Sequence, residues 1–252
     1  MHKIVLITGA TSGFGKAIAE KFASGNWNCI ITGRRADALH AFADEIREKY
    51  GVRVLSLVFD VQHNAEVKQN LSNLPEEWKE IDVLVNNAGL ALGRDPFEQG
   101  DTNDWDTMID TNVKGLLYVT KAVVPYMMAK KQGLIINMGS IAGKEVYDNG
   151  NVYCASKFAV DAISKSLRID LLQYKIKVTA IHPGAADTGF SMVRFKGDEE
   201  KARQMYQGFT PLYANDIADI AWYCATLPAH VCINDLVVTC TAQANAIKFF
   251  KE

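Results

Sequence analysis

Lys3 to Thr8 is a short, mostly β-branched run that stops at Gly9, and the glycine-rich stretch Gly9-Ala10-Thr11-Ser12-Gly13-Phe14-Gly15 leads from it into a segment of helical period. A buried strand, a glycine turn and a helix in that order constrain the fold more than any other feature of the chain. The strand is too apolar to have a wet face, so it belongs inside a sheet covered on both sides. The helix must then cross over to a parallel neighbour. The rest of the chain keeps the same rhythm. Strands are expected at 29–32, 52–59, 81–85, 134–138, 177–181 and 235–240. Helices are expected at 14–24, 37–49, 66–74, 104–130 (with Pro125 as a kink), 152–172 and 216–227. Such alternation specifies an α/β fold, a doubly wound parallel sheet between two helical layers. No repeat or flexible linker divides residues 1–252, so a single domain is expected. The least regular stretch, about 185–210, follows the strand at 177–181, where a substrate lid would sit.

Composition narrows the function classes. Of 252 residues, 48% are apolar and 22% charged, ordinary globular usage. A net charge of −2 gives no reason to expect nucleic acid or an anionic membrane as partner. No run approaches the ~18 apolar residues of a bilayer span. The N-terminus reaches a glycine turn too soon for a secretion signal. Five scattered cysteines (Cys29, Cys154, Cys224, Cys232, Cys240) show no metal or disulfide spacing, which suits a reducing cytosol.

The first turn has the spacing Gly-x-x-x-Gly-x-Gly. Its glycines let a pyrophosphate approach backbone N–H groups at a helix N-terminus, with Gly9, Thr11, Ser12, Gly13, Phe14 and Gly15 forming the cradle. It is not a Walker loop, because Ala17 stands where a hydroxyl is required. After the second strand, a carboxylate would favour NAD. The chain instead has Gly33-Arg34-Arg35. Two guanidiniums suit a ribose 2′-phosphate, so NADP is the expected cofactor, with Arg34 the stronger candidate. Asp60 and Val61 sit where an adenine would pack, and Asn87 where strand four would line the cofactor.

Tyr153 and Lys157 are one helical turn apart and share a face. A phenol titrates near pH ~10 in water, and a cation one turn away brings it towards the working range. Ser140 lies thirteen residues upstream, at the end of the fifth strand. Cys154, about 100° round the helix from Tyr153, reads as a small buried residue. His182, before Pro183-Gly184, reads as packing.

Together, Thr8-Gly9-x-x-x-Gly13-x-Gly15, Asn86-Asn87-Ala88-Gly89, Asn112, Ser140, Tyr153-x-x-x-Lys157 and Pro183-Gly184 resemble the short-chain dehydrogenase/reductase family across nearly the whole chain. The resemblance implies a Rossmann fold of about seven parallel strands, usually a homotetramer. It implies that Tyr153 is the general acid/base, that Lys157 lowers its pKa and holds the nicotinamide ribose, and that Ser140 orients the substrate oxygen. The Asn112 carbonyl would order a water that links Lys157 to solvent, while Pro183, Gly184 and Thr188 would border the cofactor.

A narrower resemblance is to the NADP-dependent 3-hydroxy acid dehydrogenases of the serine and allo-threonine dehydrogenase type. The runs 86–93, 105–112, 150–153, 190–198 and 227–231 carry it. It implies oxidation of the 3-hydroxyl of small acids such as serine, allo-threonine or 3-hydroxypropanoate, or reduction of malonic semialdehyde. Arg194 and Lys196, in the lid, offer a cation to the substrate carboxylate; either also suits an ion pair. Two departures flank the substrate mouth: Gly189 stands where the resembling enzymes carry glutamate, and Lys144-Glu145-Val146 replaces an aromatic–proline pair. The same catalytic residues would also serve a reductase of a ketoacyl thioester, sugar or diketone. The fold alone would serve a non-catalytic NADP sensor, which has no need of the proton donor.

Overall fold

The computed structural model describes residues 2–252. In chain order it has β1 (Ile4–Ile7), α1 (Gly13–Ser24), β2 (Asn28–Gly33), α2 (Ala36–Tyr50), β3 (Val54–Val58), α3 (Asn64–Leu71), β4 (Ile81–Asn86), α4 (Thr102–Ile109), α5 (Leu116–Lys130), β5 (Gly133–Met138), α6 (Asn151–Asp170) and β6 (Ile176–Pro183). Then come β7 (Ala186–Asp187), α7 (Phe190–Arg194), α8 (Glu199–Gln204), β8 (Leu212–Tyr213), α9 (Ala214–Thr226) and β9 (Asp235–Val238). Seven strands form one parallel sheet in the order β3-β2-β1-β4-β5-β6-β9. This is the expected Rossmann-type α/β arrangement. The winding reverses between β1 and β4, which opens a crevice at the carboxyl ends of those strands.

The pleat explains why β1 reads as an unbroken apolar run. Val5 and Ile7 enter one core with Phe22, Leu39 and Ile217, from the layer of α1, α2 and α9. Ile4 and Leu6 enter the other with Val67, Leu71, Val119 and Val123, from α3 and α5. Alternate side chains serve opposite faces, so none can be polar. Each such buried side chain contributes about 1.5–3 kcal/mol relative to exposure. The register Ile7↔Ile31, Ile7↔Val85 and Met138↔Ile181 brings the strand ends to a common edge.

One expected element differs. The helix at 104–130 is two helices joined by a π-type turn over Asp110–Gly115. The turn brings Gly115 close against the segment that follows β3: a Cβ on Gly115 would lie 2.8 Å from Val61 Cγ2. Pro125 stays inside α5. The irregular stretch at 185–210 contains α7, α8 and the short β7, which pairs with β8 in a small separate sheet.

Candidate active site

Gly9 and Gly13 have φ of +67° and +54°, backbone that residues with a Cβ rarely adopt. Gly15 allows a different thing, the seating of α1 against the turn: a Cβ there would be 2.3 Å from the Gly9 carbonyl. Asn87 braces the loop from β4, its Nδ2 donating to the carbonyls of Thr8 (2.8 Å) and Gly9 (3.2 Å). Thr8 Oγ1 accepts in return from the N–H groups of Asn87 and Ala88. The N-terminus of α1 carries no acidic side chain and Ser12 makes no capping hydrogen bond, so its first N–H groups are left for an anion. Gly9, Thr11, Ser12, Gly13 and Phe14 line a cleft of about 640 Å³. Gly15 does not line it; it lies beneath the loop, where it permits close packing.

The far end of this cleft is bordered by Arg34, Arg35, Asp60 and Val61. Arg34 Nη1 lies 3.2 Å from Asp60 Oδ2, and Arg35 Nη2 donates to Thr11 Oγ1 at 2.9 Å. Both guanidiniums are thus held at the rim with donors to spare. Val61 is buried against Gly115. Pro183, Gly184 and Thr188 border the cleft at its middle.

Ser140, Tyr153 and Lys157 meet on the inner wall of the same cleft. Ser140 begins a single 3₁₀ turn after β5, and its Oγ accepts from the Ala142 N–H at 3.1 Å. Tyr153 and Lys157 stand on α6, with Lys157 Nζ 5.9 Å from the Tyr153 ring centre and donating to the Met138 carbonyl at 2.9 Å. Burial pushes the Tyr153 phenol upward, and Tyr147 adds to this, while Ser140 and Arg194 pull it down. In the free chain desolvation outweighs the pull of Ser140 and Arg194, so the phenol lies above its ordinary value rather than below it. Burial also presses the Lys157 ammonium down to about 8. An unfolded lysine keeps a pKa of ~10.4, so between pH ~8 and ~10.4 the unfolded chain holds a proton that the folded one has lost, and stability attributable to Lys157 rises with pH. Lys157→Met should therefore gain stability over the native chain near pH 7 and lose that advantage towards pH ~10. Urea unfolding at both values tests this; an advantage that grows with pH contradicts it.

Asn112 does not line the cleft. It sits behind it, in the π-type turn, with Oδ1 accepting from the Leu90 N–H (2.9 Å) and Nδ2 donating to the Leu90 carbonyl (2.8 Å) and Ser156 Oγ (3.0 Å). The missing side chain of Gly89 leaves a gap beside it: a Cβ there would be 3.2 Å from Asn112 Oδ1 and 3.5 Å from Lys157 Nζ.

Arg194 ends α7 and reaches into the cleft, 6% exposed. Its Nε donates to the Gly93 carbonyl (3.3 Å) and its Nη2 to Tyr147 Oη (2.9 Å), and its guanidinium lies 5.5 Å from the Tyr153 ring centre. Among the described residues it has no carboxylate partner, unlike Lys196, which pairs with Asp104 at 2.8 Å outside the cleft. Tyr147 is a site residue that sequence reasoning missed: it lies between Arg194 and Arg94, with both guanidiniums about 5.4–5.5 Å from its ring centre. It comes from a loop, where no periodicity marks it. Gly189 has φ +76° with open space at its Cβ position, so a side chain there would be strained rather than crowded. Cys154 is buried and its thiol is raised by burial, as a packing residue should be.

The model of the short chain dehydrogenase family matches residues 3–199. The chain belongs to that family. The matched segment of this short chain dehydrogenase includes the glycine turn, Ser140, Tyr153, Lys157 and Arg194. It is 48% identical over 244 residues to the NADP-dependent 3-hydroxy acid dehydrogenase of Salmonella typhi, covering 96% of this chain and 97% of that one. It is 46% identical over 245 residues to sulfoacetaldehyde reductase 2 of Chromohalobacter salexigens, covering 97% and 96%. Among solved structures, the closed form of serine dehydrogenase complexed with NADP⁺ superposes with a TM-score of 0.92 at 44% identity, covering 99% of each chain. The cradle of this short chain dehydrogenase fits such a cofactor on its own geometry, with free helix N–H groups at one end and two rim guanidiniums at the other.

Proposed function

We propose that the chain is an NADP-dependent oxidoreductase that oxidises the 3-hydroxyl of short 3-hydroxy acids, such as serine, allo-threonine or 3-hydroxypropanoate, and in reverse reduces the corresponding carbonyl, such as malonic semialdehyde. The observation that carries the reading is Arg194: a buried guanidinium without a counter-ion among the described residues, against the ring of the tyrosine that would handle the proton. A buried charge is costly until paired, and a substrate anion would pair it.

The glycine turn, Arg34, Arg35 and Lys157 would hold NADP, whose nicotinamide supplies the hydride for reduction or accepts it in oxidation. Tyr153 Oη donates a proton to the substrate oxygen in reduction and takes it back in oxidation. Ser140 Oγ donates a hydrogen bond to that oxygen and sets its direction. Lys157 stabilises the phenolate by charge; burial makes each ion costly alone, which strengthens their mutual attraction. Asn112 fixes the segment behind Lys157, and its carbonyl is suited to a water that would relay the proton outward. Arg194 holds the acid group and so points the hydroxyl end at Tyr153.

The sulfonate named for one relative is an anion of the same charge, and Arg194 would accept it as readily. A neutral diketone or sugar would leave the guanidinium unpaired. Assay of serine, 3-hydroxypropanoate and 2-hydroxyethanesulfonate with NADP⁺, and of a neutral diketone with NADPH, separates these cases. Turnover of the neutral compound alone would end the reading. Replacing Arg34 and Arg35 together with alanine should weaken NADP about a hundredfold and leave NAD little changed, as expected for loss of two charge-assisted bonds. Equal weakening of both nucleotides in a fluorescence titration would contradict the assignment.

We read the enzyme as a cytosolic homotetramer. Leu117 on α5 and Phe158 and Ile169 on α6 are exposed, which supports contact between copies through these helices. The five unpaired cysteines suit a reducing compartment. No described helix is long and apolar enough to cross a membrane.

A further inference from the structure

His182 on β6 is fully buried and packs on the face of Gly139, where a Cβ would lie 2.4 Å from its Nδ1. It does more than fill space. Nδ1 lies 3.2 Å from the carbonyl of Ser140, with geometry for a hydrogen bond. On the other side, Nε2 has no hydrogen-bond partner and sits 3.3 Å from Asp235 Oδ1 and 3.7 Å from Asp161 Oδ1. A neutral imidazole has one N–H, so only one side of the ring can be served.

The surrounding charges decide which. Lys144 Nζ bonds Asp161 Oδ1 at 2.8 Å and also Asp235 Oδ2, and Lys165 Nζ bonds Asp161 Oδ2 at 2.7 Å. Two ammoniums balance two carboxylates, so neither acid needs the ring proton. Burial and Lys144 push His182 below its ordinary range, against the pull of Asp235, Ser140 and Asp161, which keeps the ring neutral. The same lysine bridges the two carboxylates of the Asp161, His182 and Asp235 cluster.

We propose that His182 is a positioning residue for Ser140: its Nδ1–H holds the Ser140 peptide, and the Lys144–Asp161–Asp235 knot directs the proton to that nitrogen. This rests on the proposed role of Ser140 as the group that orients the substrate oxygen. Lys144, one of the departures at the substrate mouth, thereby gains a structural role, since it ties the loop after Ser140 to α6 and β9.

Two variants of similar polarity separate the donor from mere bulk. His182→Asn keeps an N–H near the Nδ1 position, while His182→Gln places its amide nearer Nε2. The expected result is that His182→Gln lowers kcat about tenfold, the order that displacement of a reacting group by a fraction of an ångström produces. His182→Asn should restore kcat to within about threefold of the native enzyme, and NADP affinity should hold within about twofold in both. Equal losses in the two variants, no loss in His182→Gln, or a fall in NADP affinity that matches the fall in kcat would each overturn the inference. Ser140→Ala, assayed alongside, keeps the two claims apart. Normal turnover there would sink the active-site reading itself, whereas its loss together with equal Asn and Gln variants would sink only the role of His182.

Discussion

Replacing Tyr153 with phenylalanine should lower kcat about a thousandfold, within the range that a positioned acid/base contributes, and leave NADP affinity within about twofold. The size follows from what the site would lose. The ring volume remains, so the packing against Phe190, 5.8 Å away between ring centres, persists. The cleft, the glycine turn and the rim arginines are untouched. What vanishes is the hydroxyl beside Ser140, and with it the proton for the developing alkoxide. Burial already raises this phenol, so the free chain holds it protonated and ready to donate. Single-turnover measurement with saturating NADPH isolates the step. A variant that kept near-normal turnover would assign the proton to another group and remove the chemical centre of the account.

The second large effect concerns the anion. Arg194→Met should raise KM for serine about a hundredfold with a smaller change in kcat. Loss of one partner of a buried charge pair costs about 2–5 kcal/mol, and each ~1.4 kcal/mol is a factor of ten. Methionine fills much of the same space beside Tyr147 and Tyr153, so the loss is mainly of charge. Its backbone anchor to the Gly93 carbonyl disappears too, which makes some fall in kcat expected. The KM of a neutral substrate analogue should change little. Equal rises in KM for the acid and the neutral analogue would show that Arg194 only shapes the lid.

The two effects also show where the chain speaks plainly and where it does not. The centre of the sheet was legible because β1, β2, β4, β5 and β6 are buried on both faces, and each ends at a glycine or a polar turn. Tyr153, Lys157 and Ser140 were legible because helix spacing and a strand end fix their positions. Asn112 was marked by the family resemblance, but the π-type turn that contains it was not, because one inserted residue barely disturbs a 3.6-residue pattern. The cofactor rim followed from Arg34-Arg35, while their anchors, Asp60 and Thr11, required the fold. The substrate end was least legible. Arg194 and Lys196 are near neighbours in sequence, yet one is buried in the cleft and the other pairs with Asp104 outside it. Tyr147 and His182 act through contacts between segments far apart in the chain, a relation that no local pattern encodes.

The most direct test of the central claim is a crystal structure of the enzyme with NADP and serine bound. The account predicts the serine hydroxyl within hydrogen-bond reach of both Tyr153 Oη and Ser140 Oγ, and its carboxylate on the guanidinium of Arg194. A carboxylate seated elsewhere, with Arg194 turned away and the hydroxyl beyond reach of Tyr153, would contradict it.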